Sequence, residues 1–172
     1  TRAGLAGAAD LSLFYEQELK AKKLESSILR AGFCISNMGN KMSYSSGTLR
    51  RDFLPTNLKI GLGYEMGFDE YNKLAITGEV NKLLVPTNPV YQTDSITGRI
   101  IYDQYNNPVI LSGRDPDVSV PQGMIQSFYD APGIGHNGVN ASVFAEEMAE
   151  IIWALGAEYS YRDLFFVRLG YF

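Results

Sequence analysis

The stretch Asn57-Leu-Lys-Ile-Gly-Leu-Gly-Tyr-Glu-Met66 decides the fold. Leu58, Ile60, Leu62, Tyr64 and Met66 share one parity, and Lys59, Gly61, Gly63 and Glu65 share the other. A strand turns successive side chains to opposite faces, so this alternation describes a ribbon with one apolar and one wet side.

Five further stretches follow the same rule. Ala9, Leu11, Leu13 and Tyr15 oppose Asp10, Ser12 and Glu16, with Phe14 as the misfit. Leu29, Ala31, Phe33 and Ile35 oppose Arg30, Gly32, Cys34 and Ser36. Leu74, Ile76 and Val80 oppose Lys73, Thr77, Glu79 and Asn81, with Gly78 interrupting the apolar row. Ile151, Trp153, Leu155, Ala157, Tyr159 and Tyr161 oppose Ala154, Gly156, Glu158 and Ser160. Phe165, Val167, Leu169 and Tyr171 oppose Arg168 and Gly170, while Phe166 and Phe172 spoil the wet face.

Between these six predicted strands the connections are short, long, short, long, short. Leu19 to Glu25, Gly67 to Asn72 and Arg162-Asp163 are short, whereas residues 37–56 and 82–150 are long. In an antiparallel meander, alternate connections emerge on the same side. All the short ones therefore lie at one end and the long ones at the other, the asymmetry of outer-membrane barrels. The expected fold class is all-β, a transmembrane antiparallel β-barrel, with residues 1–172 forming part of one barrel domain. Six strands are fewer than the roughly eight a membrane barrel needs to close, so the chain is expected to be a fragment. Thr1 to Ala9 lacks the basic and apolar regions of a signal peptide, so an export signal is expected to be upstream or removed.

The bulk composition agrees with this reading. The net charge of −4, from 15 basic and 19 acidic side chains, gives no pull towards nucleic acid. No window of about 18 apolar residues offers a transmembrane helix, which leaves barrel strands of about 9–11 residues open. Cys34 is the single cysteine, read as a packing residue. Eleven Tyr, nine Phe and one Trp suit surfaces where an apolar body meets a wet rim.

Sites of chemistry are sparse. Gly133-Ile-Gly-His-Asn-Gly138 spells GxGxxG, but neither a buried strand before it nor a long helix after it is expected, so it reads as a loop. His136, the only histidine, has no ligand-spaced neighbour. Asp94 with Thr97-Gly98, and Asp115-Pro-Asp117, read as turns whose carboxylates bond their own backbone. No catalytic residue, metal site or cofactor is expected. The wet-face charges Arg30, Lys59, Lys73, Glu79, Glu158 and Arg168 carry both signs and can cross-pair. Gly61 and Gly63 are expected to make room for a neighbouring side chain or a bend. In the longest connection, Ile100–Tyr102 and Val109–Leu111 are expected to form a hairpin. Residues 142–150 are expected to form a helix capped by Ser142.

Apolar and aromatic residues on the long-loop side are the candidates for binding. They are Phe53, Leu54, Pro55, Leu84, Val85, Pro86, Tyr91, Tyr102, Tyr105, Phe128 and Tyr129. Exposed apolar clusters mark binding surfaces, and tucking into a barrel mouth as a plug is the other use open to them.

Long motifs carry a resemblance. Arg51-Asp-Phe-Leu-Pro-Thr-Asn-Leu-Lys-Ile-Gly61, Glu70-Tyr-Asn-Lys-Leu74 and Val80-Asn-Lys-Leu-Leu-Val-Pro-Thr87 resemble the PorV family of the type IX secretion system of Bacteroidota. Gln126-Ser-Phe-Tyr-Asp-Ala-Pro-Gly133, Gly156-Ala-Glu-Tyr-Ser-Tyr161 and Phe166-Val-Arg-Leu-Gly-Tyr-Phe172 resemble it as well. The resemblance implies a FadL-like barrel of about fourteen strands in the cell outer membrane. It also implies a non-enzymatic shuttle that binds the C-terminal signal domain of exported proteins. Cargo would pass from a translocon barrel of SprA/Sov type to a surface attachment complex with a PorU-type sortase, in contact with outer-membrane lipid. The rival is a FadL-like transporter of small hydrophobic molecules; a soluble β-domain enzyme is disfavoured by the missing catalytic constellation.

Overall fold

A computed structural model describes residues 6–42, 52–134 and 142–172. The described chain forms two compact units. One comprises Ala9–Met38, Asn57–Lys82 and Ile151–Phe172, and the other is built around Gly39–Thr56 and Leu83–Glu150.

The first unit is a six-stranded sheet. Its strands are β1 (Ala8–Glu18), β2 (Ser26–Gly39), β3 (Asn57–Gly67), β4 (Asn72–Leu83), β7 (Ile152–Tyr161) and β8 (Phe165–Tyr171). They lie in the order β1-β2-β3-β4-β7-β8, and the sheet is open, with β1 and β8 at its edges. All six expected strands are present, with β2 running to Gly39 and β4 to Leu83 beyond the alternating cores. No helix among the described residues is long and apolar enough to cross a membrane.

The register keeps each face pure. Leu29 pairs with Tyr64, Ala31 with Leu62, and Phe33 with Ile60, while Arg30 pairs with Gly63 and Cys34 with Lys59. Leu74 pairs with Tyr159, Val80 with Trp153, and Thr77 with Gly156. Leu155 pairs with Tyr171, Ala157 with Leu169, and Glu158 with Arg168. A one-residue slip would mix the faces, so the alternation restricts the pairing to registers of this parity. The apolar face is open to its surroundings at Leu13, Leu62, Ile76, Leu155, Val167 and Leu169. Towards the short turns this face ends in Tyr159, Tyr161 and Phe165, and towards the long connections in Trp153 and Tyr171, as two aromatic rims.

The wet face is cross-paired. Arg30 on β2 donates from Nε to Glu16 on β1 at 2.7 Å and from Nη1 to Glu65 on β3 at 2.6 Å. Arg168 donates to Glu158 directly across the β7–β8 pair. Lys73 reaches Asp163 at 2.8 Å. Each pair is partly solvated and adds roughly 0–1 kcal/mol, so their weight lies in fixing which strand meets which.

Glycines cross the same face. Gly32 pairs with Gly61 and Gly156 with Gly170, and they line a trough of 540 Å³ with Arg30, Thr77 and Glu79. A Cβ at Gly61 or Gly63 would make only ordinary contacts, at 3.8 and 3.5 Å, so room-making is not their task. That task falls to Gly156, where a Cβ would lie 2.7 Å from Thr77 Oγ1.

The short turns are stapled to one another. Glu25 N–H donates to Gly67 O at 2.9 Å, and Arg162 N–H donates to Tyr71 O at 2.7 Å. Asp69 accepts from the N–H groups of Tyr71 and Asn72, both at 2.8 Å. The Tyr71 N–H, followed by the Asn72 side chain, holds the Asp69 carboxyl below its usual range. The tightest turn runs through Arg162 and Asp163, both left-handed at φ 55° and 51°, which suits the twist of a hairpin.

Candidate functional site

The second unit holds every candidate binding residue, and it buries polar side chains while exposing large apolar ones. Among the described residues its buried polar side chains are Thr56, Gln126, Ser127, Asp130 and Glu147, and its buried apolar ones are Leu84, Pro86, Pro89 and Ala131. Large apolar side chains lie outside instead: Ile96 is 94% exposed, Tyr105 74% and Ile125 65%. Exposed apolar clusters mark surfaces that something covers.

Three chain segments form the first half of this unit. Gln92 N–H donates to Val109 O, Val109 N–H to Ile101 O, and Ile101 N–H to Gln92 O, closing a ring of bonds at 2.8–2.9 Å. The strands β5 (Val90–Tyr91) and β6 (Ile110–Ser112) extend the pairing. The expected hairpin is therefore present around Tyr102 and Pro108, with Ile110–Ser112 turning away to meet β5. Two Asx turns finish the ends. Asp94 accepts from the N–H groups of Thr97 at 2.7 Å and Ile96 at 2.9 Å, and Asp103 from those of Asn107 and Tyr105 at 2.8 Å. Both carboxyls are held below their usual range, Asp94 chiefly by Thr97 N–H and Asp103 chiefly by Asn107 N–H. The turn reading of Asp94 and of Asp115, which accepts from Asp117 N–H at 2.9 Å, is the observed one. Because these carboxylates bond inward, Ile96 and Tyr105 are left at the tips.

The second half is built on two helices. Helix α1 (Val120–Gln126), which the sequence reading did not anticipate, starts after Ser119 with Pro121 in its first turn. Its Gly123 lies under the Phe53 ring, where a Cβ would come within 2.7 Å of Cε1 and 3.0 Å of Pro86 Cγ. On Phe53, Lys41 also sits 4.4 Å from the ring centre, while reaching Asp117 at 3.1 Å. Helix α2 (Val143–Ala149) is capped as expected, with Ser142 Oγ accepting from Ala145 N–H at 3.1 Å.

Helix α2 turns its acids inward. Glu146 accepts from the N–H groups of Gly133 at 2.6 Å and Ile134 at 3.1 Å. Glu147 accepts from Ala131 N–H at 2.8 Å, and Glu150, just past the helix, from Thr87 Oγ1 at 3.0 Å. Asp130, 1% exposed, accepts from Thr87 N–H at 3.0 Å through Oδ2, and its Oδ1 has no hydrogen-bond partner among the described residues. Burial pushes the Asp130 carboxyl above its usual range, against the bonds from Thr87 and Gln126.

The candidate residues thus separate. Leu84 and Pro86 are buried, and Phe53, Leu54, Val85 and Tyr91 are half-buried in the packing. Tyr91 borders a cleft of 600 Å³ with Pro108, Ile110 and Asp115. Pro55, Tyr102, Tyr105, Phe128 and Tyr129 are on the surface, with Arg114 stacked on the Tyr129 ring at 4.7 Å. Sequence reasoning missed Ile96, Leu111, Ile125, Phe144 and Met148, all exposed. Phe144 and Met148 are four apart, on the helix side opposite Glu146, Glu147 and Glu150, a pattern that by itself points the apolar side inward. His136 and residues 135–138 of the GxGxxG match lie outside the described residues.

An amphipathic antiparallel sheet of barrel type, in a chain whose loop unit exposes large apolar side chains, defines the class. The family model for "Type IX secretion system protein PorV" matches residues 2–90, more than half of the chain. The chain belongs to the PorV family of type IX secretion system proteins. No curated protein matches it. The matched segment runs through β4, and β7 pairs with β4 along ten residues, so the rest of the sheet continues the family's wall.

Proposed function

We propose that the chain is part of a FadL-like outer-membrane barrel of about fourteen strands that binds exported proteins and does no chemistry itself. It takes the C-terminal signal domain of a protein leaving a SprA/Sov-type translocon barrel and passes it to the attachment complex bearing a PorU-type sortase. The observation that carries this reading is the exposure of large aromatic side chains on the loop unit. Tyr102, Tyr105, Phe128 and Tyr129 offer wide, rigid rings, three of them with a hydroxyl, which is the chemistry of protein-binding anchors. The open apolar sheet face with its aromatic rims supports the membrane setting.

The glycine-lined trough on the wet face supports a second reading, a FadL-like transporter of small hydrophobic molecules. Mild-detergent isolation of the native full-length protein with mass spectrometry separates the two. Co-recovery of the translocon barrel, or of secreted proteins still bearing the signal domain, supports the shuttle. A solitary barrel with bound fatty acid overturns it in favour of the transporter.

A further inference from the structure

Helix α2 carries its charges on the inside. Glu146 and Glu147 are spent on the N–H groups of Ala131, Gly133 and Ile134, which fixes the roll of the helix about its axis. The outward side is then Val143, Phe144, Ala145, Met148 and Ala149, without a single polar side chain. Phe144 is 74% exposed and Met148 39%.

That face lacks what a protein partner uses. Protein-binding patches combine apolar centres with a polar rim that fixes register. Tyr102, Tyr105 and Tyr129 bring hydroxyls, and α2 brings none. A purely hydrocarbon face on a short helix matches a bilayer surface, where only apolar burial is asked of it. Sequence position agrees: only Glu150 and Ile151 separate α2 from β7, a span of at most ~10 Å for an extended chain. Strand β7 opens its apolar row with Trp153, the residue type of the membrane–water boundary.

We propose that α2 is an interfacial helix that lays Phe144 and Met148 into the acyl region of the bilayer around the barrel. This rests on the reading of β7 as a membrane-spanning strand. The loop unit would then have two surfaces of different chemistry: tyrosines and Phe128 for protein, and α2 for lipid.

The test places the photo-crosslinking residue benzoylphenylalanine at position 144, 148 or 153 of the full-length protein in its native outer membrane. Heat-modifiable gel mobility confirms that each variant is folded. Lipid adducts at 144 and 148, in yields within a few-fold of those at 153, are the expected result. Lipid at 153 with protein adducts, or none, at 144 and 148 overturns the interfacial helix while leaving the membrane reading intact. Failure to label lipid at 153 removes the membrane reading, and the helix proposal with it.

Discussion

Single atoms decide two positions. A methyl group at Gly156 would press on Thr77 Oγ1 across the β4–β7 pair. Gly156→Ala should therefore cost about 1–3 kcal/mol, read as an earlier loss of the heat-resistant folded band, and Thr77→Ala should restore most of it. At Gly123 the neighbour is the Phe53 ring, which also stacks under Lys41. Gly123→Ala should loosen the loop unit by a similar amount and Phe53→Leu should compensate, as expected of a ring that serves packing. Rescue failing in both cases would show that the strain lies elsewhere.

Helix α2 sets the behaviour of the loop unit through its acids. Glu147→Ala strands the Ala131 N–H in a buried place, at a cost of about 1–3 kcal/mol, whereas Glu147→Gln keeps an acceptor there and should cost less. Amide hydrogen exchange at Ala131 reads the difference. The pH response has two opposed parts. Asp130 binds its proton more tightly folded than unfolded, because burial dominates and the charge of Glu147 adds to it. Such a group subtracts stability above its folded value, so acidification from neutrality towards the ordinary 3.8 should tighten the unit. Asp94 and Asp103 are held low, so the stability they give is present above 3.8 and lost as the pH falls below it through their depressed values. Asp130→Asn should abolish the first effect and leave the second, which exchange rates at Thr87 against pH would show.

As a whole the molecule has surfaces that water does not satisfy. Strands β1 and β8 each present an unpaired edge in this sheet, and the apolar face exposes large side chains on β1, β3, β4, β7 and β8. The 172-residue chain should precipitate from aqueous buffer and stay dispersed in detergent, with sheet content by circular dichroism retained only in the latter. A monodisperse aqueous monomer would contradict the membrane reading. In cells, Tyr105→Ser with Phe128→Ser should leave the folded band intact and slow the release of exported proteins, seen as their accumulation behind the outer membrane.

The sequence by itself determined the six strands and their faces, because a period of two admits only registers in which no charge meets the apolar side, while the structure selected one register among those of the right parity. It also determined the Ser142 cap and the turn character of Asp94 and Asp115, since those rest on bonds between residues two or three apart. Only the tertiary structure decided which candidate aromatics face outward. Phe53 and Tyr105 are both aromatics on the long-loop side, yet one packs on Gly123 and the other stands at a turn tip. The direction of α2 was decided there too. Seven residues with acids on one side and apolar groups on the other read as a helix with its apolar side inward. Long-range N–H donors at Ala131, Gly133 and Ile134 drew the acids inside instead, and a contact between distant segments leaves no periodic mark in sequence.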